Sequence, residues 1–283
     1  MVLALARLLA ALPLSASHRL GAWCGRAVYL ASPRYRRHLA ANLRAAGYGE
    51  AALLRAAIAE AGKALLELPA IWLRPLATVA GWVDEVTGWE LVEAALARRR
   101  GIIFLTPHLG CFEITAQYYA WRAPAGTPLT ALYRAPKKKA IEPLMLAGRD
   151  RPNLRLASAD LRGVRVLLRA LRKGEAIGIL PDQAPGVGEG EWADFFGRPA
   201  YTMTLVGRLA AASEAQVILA FAERLPRGRG YHLHLQPMPE RLAGESPERA
   251  LNRALEELIR RCPAQYTWGY NRYKVPAGAQ KPQ

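Results

Sequence analysis

Cysteine is scarce in this 283-residue chain. Cys24, Cys111 and Cys262 stand too far apart to form a metal-ligand pair or a disulfide framework, and they favour a reducing, cytoplasm-facing setting. Acidic residues are also few: 23 Asp+Glu face 39 Lys+Arg, for a net charge of +16. Such an excess favours a polyanionic partner, although zinc-finger spacing, arginine–glycine tracts and aromatic RNA-binding signatures are all missing, which argues against nucleic acid. Uninterrupted apolar runs are short. Residues 1–16 are broken by Arg7 and Pro13, and residues 20–31 carry Arg26; neither reaches the roughly 18–20 apolar residues of a membrane-spanning helix. The Gly/Pro loop at 183–191 lacks the lysine and hydroxyl of a phosphate-cradling loop, which excludes nucleotide hydrolysis of that type. No internal repeat is present.

What remains is a chain long and apolar enough (52% hydrophobic residues) to bury a sizeable core. It divides into an appendage, residues 1–45, and one large domain, residues 46–283. In the appendage, apolar stretches alternate with Arg19, Arg26, Arg34, Arg36, Arg37 and His38, a pattern suited to a helical segment lying in a membrane interface. Beyond it, helical periodicity marks 50–73 and 89–99. Strand-like runs at 101–106, 128–133, 176–180, 217–222 and 231–236 then alternate with helix-like runs at 110–121, 137–148, 160–173, 202–213 and 246–262. This alternation predicts an α/β fold with a mixed, partly parallel central sheet sandwiched by helices.

The chemistry concentrates in Thr-Pro-His-Leu-Gly-Cys-Phe-Glu-Ile, residues 106–114, where the apolar run 101–105 stops. Imidazole takes a proton near neutral pH. A carboxylate on its other nitrogen fixes the tautomer and stabilises the imidazolium. Five positions on one helix would leave His108 and Glu113 roughly 140° apart. They can meet only if His108 lies in the turn and Glu113 in the first turn of the next helix, as Pro107 and Gly110 suggest. Cys111 reads as core packing rather than a nucleophile. His232 and His234 share a strand face but lack a recognisable ligand cluster, so surface histidines are expected and no metal.

The segment resembles the His-x4-Asp/Glu motif of the glycerolipid and lipid A acyltransferases. Three later blocks resemble the branch that makes bacterial lipid A: Leu-Tyr-Arg-Ala-Pro (132–136), Leu-Arg-Lys-Gly-Glu-Ala-Ile-Gly-Ile-Leu-Pro-Asp-Gln (171–183) and Asp-Phe-Phe-Gly-Arg-Pro-Ala (194–200). The resemblance implies transfer of a fatty acyl chain from acyl-acyl carrier protein to a hydroxyl of an anionic lipid A precursor, at the cytoplasmic face of the inner membrane, with no cofactor. It implies His108 as general base and Glu113 as its orienter. Arg134 would grip phosphate or polarise the thioester oxygen. Asp182 would position the site from behind or cap a turn, Phe195 and Phe196 would wall the acyl chain, and Arg198 would face acceptor phosphate. Lys137–Lys139 suit a carrier-protein or phosphate dock, or a plain solvated face. Gln183 departs from the family pattern, standing where some members carry histidine. Two alternatives stay open: the same chemistry on another acceptor (a lysophospholipid, ornithine lipid or glycolipid), or a non-catalytic basic protein binding membrane or nucleic acid.

Overall fold

The computed structural model describes residues 2–133 and 142–280. Arg134 and Lys137–Lys139 lie outside the described residues. The strands in chain order are β1 (Val83–Thr87), β2 (Ile102–Leu105), β3 (Leu129–Tyr133), β4 (Leu154–Ser158), β5 (Ala176–Ile179), β6 (Gly190–Phe195), β7 (Arg198–Met203), β8 (Gln216–Arg224) and β9 (Tyr231–Pro237). The helices are α1 (Val2–Ala11), α2 (Leu14–Ala31), α3 (Pro33–Ala45), α4 (Ala51–Leu66), α5 (Leu68–Leu73), α6 (Leu76–Ala80), α7 (Trp89–Ala97), α8 (Phe112–Arg122), α9 (Glu142–Arg149), α10 (Leu161–Arg172), α11 (Leu205–Ser213) and α12 (Pro247–Arg261).

One sheet runs in the order β1-β9-β8-β2-β5-β3-β4. β8, β2, β5, β3 and β4 are mutually parallel, while β9 pairs antiparallel with β8 and carries β1 parallel to itself. The central strands are continuous apolar runs because helices cover both faces. Alternate residues face opposite layers: Ile103, Leu105, Ile177, Ile179, Leu219 and Phe221 pack with α10, α11 and α12. Ile102, Phe104, Ile218 and Ala220 pack with α5, α7 and α8 through Ile71, Trp72, Trp89 and Ile114. The expected α/β architecture with a mixed, partly parallel sheet sandwiched by helices is thus present, and most of its strand pairs are parallel.

Four strands escaped the sequence reading. β1 and β4 are the two edges, and half-exposed edge strands carry charge (Asp84, Glu85, Arg155) rather than apolar runs. β6 and β7 form a separate hairpin. Its two-residue turn, Phe196-Gly197, has positive φ at both positions (49° and 70°), as a type I′ turn requires. The Phe196 N–H donates to Glu256 Oε1 (2.9 Å), which helps hold a conformation costly for a bulky residue. The run read as helix from 202 therefore begins as strand, and helix starts only at Leu205.

The N-terminal helices dock on the body. α2 crosses α4 at glycines: a Cβ on Gly62 would sit 1.9 Å from the Gly21 carbonyl oxygen. Ser17 Oγ donates to the Leu66 carbonyl (2.9 Å), and His18 meets Glu67 (3.0 Å). The outer sides still expose Leu3, Leu5 and Leu8 of α1 and Trp23 and Leu30 of α2. Among the described residues, no helix is long and apolar enough to cross a membrane.

Candidate active site

β2 and β5 are parallel neighbours in register, ending at the pair Leu105–Ile179. Each chain continues three residues further, to His108 and to Asp182, so the two side chains leave the same edge of the sheet at one level. That is the carboxyl edge, where open α/β sheets place their sites. The turn after β2 is held from several sides. Gly110 adopts φ +59°, and a Cβ there would lie 2.0 Å from the Ala222 carbonyl oxygen, so only glycine fits. The Gly110 N–H donates to the Gln265 carbonyl (3.1 Å) and the Cys111 N–H to the Ala222 carbonyl (2.8 Å). The His108 carbonyl accepts from Thr267 N–H and Oγ1, both at 3.0 Å.

His108 Nδ1 lies 2.8 Å from Asp182 Oδ1, and the His108 backbone N–H donates to Asp182 Oδ2 at 3.0 Å. A carboxylate can only accept, so Nδ1 carries the proton and Nε2 presents its lone pair. Gln183 Nε2, 3.3 Å from His108 Nε2, donates toward that lone pair. The Phe112 ring packs at 4.9 Å from the imidazole and limits its rotation. Asp182 is buried, whereas 19% of the His108 side chain stays open, so the ring is reachable while its orienter is not. Burial opposes charging His108, but the charge and hydrogen bond of Asp182, with a contribution from Glu113, outweigh it and raise its pKa. Burial works against the Asp182 carboxylate too, yet His108 holds its pKa below the ordinary value. Behind Asp182, burial and the carboxylate's charge keep the Tyr266 hydroxyl protonated. Buried Arg272 donates to the Tyr201 carbonyl and Thr202 Oγ1, both at 2.7 Å.

Glu113 does not orient His108 by hydrogen bonding, contrary to expectation. It sits in the first turn of α8, buried, with Oε2 accepting from Trp72 Nε1 (3.1 Å) and Oε1 paired with Arg149. Both oxygens are engaged from α5 and α9, and only its charge reaches the imidazole. Asp182, expected behind the site, is the direct partner. Phe195 and Phe196 are packed in the core, 4.9 Å apart, against Tyr266 and Trp268 rather than along an open groove. Arg198 is exposed on β7, its guanidinium 4.0 Å from the Tyr273 ring centre. Cys111 is buried and its thiol is held protonated by burial and by Glu67, so it offers no nucleophile.

His234 is a second correction: it is buried, not a surface histidine, and a carboxylate is beside it. Glu223, His232 and His234 present ligand-capable atoms within 4.8 Å of one another. The group is already satisfied internally, with Glu223 on His234 Nε2 (3.1 Å) and Arg261 on Nδ1 (3.0 Å). A guanidinium donating to Nδ1 leaves the proton on Nε2, the wrong tautomer for a metal there. Trp72, Arg149, Thr267, Tyr266 and Arg272 were invisible in the sequence, since nothing in their spacing links them to residue 108.

An imidazole oriented by a buried carboxylate, its unprotonated Nε2 met only by a Gln183 amide at 3.3 Å and, among the described residues, with no protein nucleophile against it, suits proton abstraction from a bound hydroxyl. The sequence profile of bacterial lipid A biosynthesis acyltransferases matches residues 1–275. The chain belongs to that family. The acyltransferase is 28% identical over 218 residues to the lipid A biosynthesis lauroyltransferase of Escherichia coli K12, covering 76% of this chain and 69% of that one. It is 29% identical over 225 residues to the palmitoleoyltransferase of the same organism (77% and 70% covered). To the myristoyltransferase it is 27% identical over 186 residues (64% and 56%). It is therefore an O-acyltransferase, and the non-catalytic alternative falls away.

Proposed function

We propose that this acyltransferase moves a fatty chain from an acyl-acyl carrier protein thioester to a hydroxyl of a phosphorylated, already acylated lipid A precursor. The observation that carries the reading is the Asp182–His108 pair, with Nε2 free of its proton and reachable. His108 Nε2 takes the acceptor hydroxyl proton as that oxygen attacks the thioester carbonyl. Asp182 stabilises the imidazolium. Collapse of the tetrahedral intermediate breaks the C–S bond, and the departing thiolate receives the proton back from His108. An ester and a free thiol result. Arg134 is the cation proposed for the thioester oxygen or acceptor phosphate. Glu113 acts through its charge and by fixing Arg149 and Trp72. The exposed apolar residues of α1 and α2 support peripheral attachment to the cytoplasmic face of the inner membrane.

The test is mass spectrometry of membrane lipids from cells with the gene, without it, and with His108→Ala in its place. Loss of one acyl chain from lipid A in the second and third strains is expected. An unchanged lipid A with a missing phospholipid or aminolipid species would transfer the same chemistry to another acceptor. Full lipid A acylation by His108→Ala would end the general-base assignment.

A further inference from the structure

The helix α10 combines a buried apolar side with an unusual outer one. Leu167, Ala170 and Leu171 face the core, and Asp160 caps the first turn by accepting from the Gly163 N–H (2.9 Å). Outward it shows Leu161 and Val166, both exposed, and between them Arg162, Arg165, Arg169, Arg172 and Lys173, all exposed. At helical spacing these residues occupy one stripe about 140° wide. The helix itself contains no acidic residue, and among the described residues none of the five cations makes a salt bridge. Arg162 sits in the first turn, where a cation opposes the helix dipole. Stability alone does not favour that placement.

The position of the stripe matters as much as its charge. β4 leads into α10, and β4 is parallel to β3, β5 and β2, so the start of α10 stands at the same carboxyl edge as His108. Three strand spacings, about 14 Å, separate β4 from β2 along that edge. The exposed apolar residues of α1 belong to the other side of the molecule, because α1 packs through Ala6 with the core layer of α5 and α8, while α10 packs in the opposite layer. A bilayer lying on α1 therefore meets the layer opposite α10.

We propose that α10 is the dock for the acyl donor's protein: an acidic carrier whose amphipathic surface lays carboxylates on Arg162, Arg165 and Arg169 and a small apolar contact on Val166. Docked there, the carrier's flexible prosthetic arm reaches along the carboxyl edge toward His108. This inference rests on the reading of an acyl-carrier thioester as donor. Charge complementarity selects the occupant, since an exposed stripe of five cations flanked by two aliphatic residues, Leu161 and Val166, fits an acidic protein surface. Two aliphatic side chains against five cations fall short of the broad apolar face, rich in Trp, Phe and Leu, of a helix inserted in the membrane interface.

The test uses the full chain and acyl carrier protein loaded with a dodecanoyl thioester and fluorescently labelled. Binding is read at low and high salt for the wild type and for Arg162→Glu/Arg165→Glu/Arg169→Glu. A control, Arg55→Glu/Arg229→Glu/Arg241→Glu, makes the same change in net charge elsewhere. The α10 variant is expected to weaken Kd at least about tenfold and to flatten its salt dependence, with the control near wild type. A milder set with glutamine at the three positions should fall between. Wild-type affinity in the α10 variant, or equal loss in both sets, overturns the proposal. So does loss of co-sedimentation with anionic phospholipid vesicles while carrier affinity stays intact. Absence of acyl transfer by the wild type from this carrier to any lipid hydroxyl would instead sink the donor reading, independently of the binding comparison.

Discussion

Replacing Asp182 with asparagine separates the two carboxylates that compete for the role of orienter. The side chain keeps its size and its buried place, and Oδ can still accept from the His108 N–H, now made at 3.0 Å. The other end changes. An amide nitrogen facing Nδ1, where a carboxylate oxygen now sits at 2.8 Å, donates instead of accepting. That pushes the proton to Nε2 and removes the base. In the serine protease triad the same exchange lowers kcat by about 10⁴ through the same tautomer reversal. Here kcat should fall by about 10³–10⁴, or roughly 4–5.5 kcal/mol of transition-state stabilisation. A second readout gives the sign of the electrostatics. Asp182 raises the pKa of His108 against burial, which lowers it. Wild-type kcat/KM should rise with pH as the imidazole loses its proton, and the residual activity of Asp182→Asn should show that limb displaced to lower pH. Steady-state acyl transfer across pH, beside Glu113→Gln, decides the matter. Near-wild-type kcat with an unmoved limb in Asp182→Asn, or that full pattern in Glu113→Gln, would refute the assignment.

Three further outcomes are expected. Gly110→Ala forces a Cβ to within 2.0 Å of the Ala222 carbonyl at positive φ, and should cost more than about 1 kcal/mol in urea unfolding while lowering activity by shifting His108; wild-type values of both would show that the turn yields freely. Glu67, buried with Arg224, Tyr231 and His18 at 2.6–3.0 Å, has its pKa lowered to about 2: burial opposes this, but the charge and hydrogen bonds of Arg224 and His18 prevail. Its contribution is present above the unfolded carboxyl value of about 4.3 and is lost as pH falls toward 2, so Glu67→Gln should flatten that acid limb. At neutral pH the same change should cost about 3–5 kcal/mol by leaving Arg224 buried and less compensated, and an unchanged unfolding curve at both pH values contradicts it. Thiol alkylation of the native protein should mark Cys24 first, because Cys111 and Cys262 are buried and burial pushes the Cys262 pKa to about 12; rapid native labelling of Cys111, read by peptide mass spectrometry, would overturn its place in the core.

The local features were legible because they depend on neighbours in sequence. The run ending at Leu105, then Pro107, His108 and Gly110, then the start of α8, reads as strand, turn and helix from turn chemistry alone. The 3.6-residue spacing of α10 and α12 marks both helices. The edge strands β1 and β4 were not legible, since exposed edges carry mixed charge and little periodicity. The β6–β7 hairpin was hidden because Phe-Gly is an uncommon turn pair and Pro199 argues against a strand.

The chain by itself pointed to the family and to the strand end at which His108 stands. It could not determine which carboxylate that imidazole meets. Glu113 is five positions away and Asp182 is seventy-four, yet β2 and β5 lie side by side in register and bring the distant residue to 2.8 Å. Meanwhile α5 and α9 supply Trp72 and Arg149, which engage both oxygens of the near one. A hydrogen bond depends on separation and direction in space, and strand adjacency sets these for residues far apart along the chain.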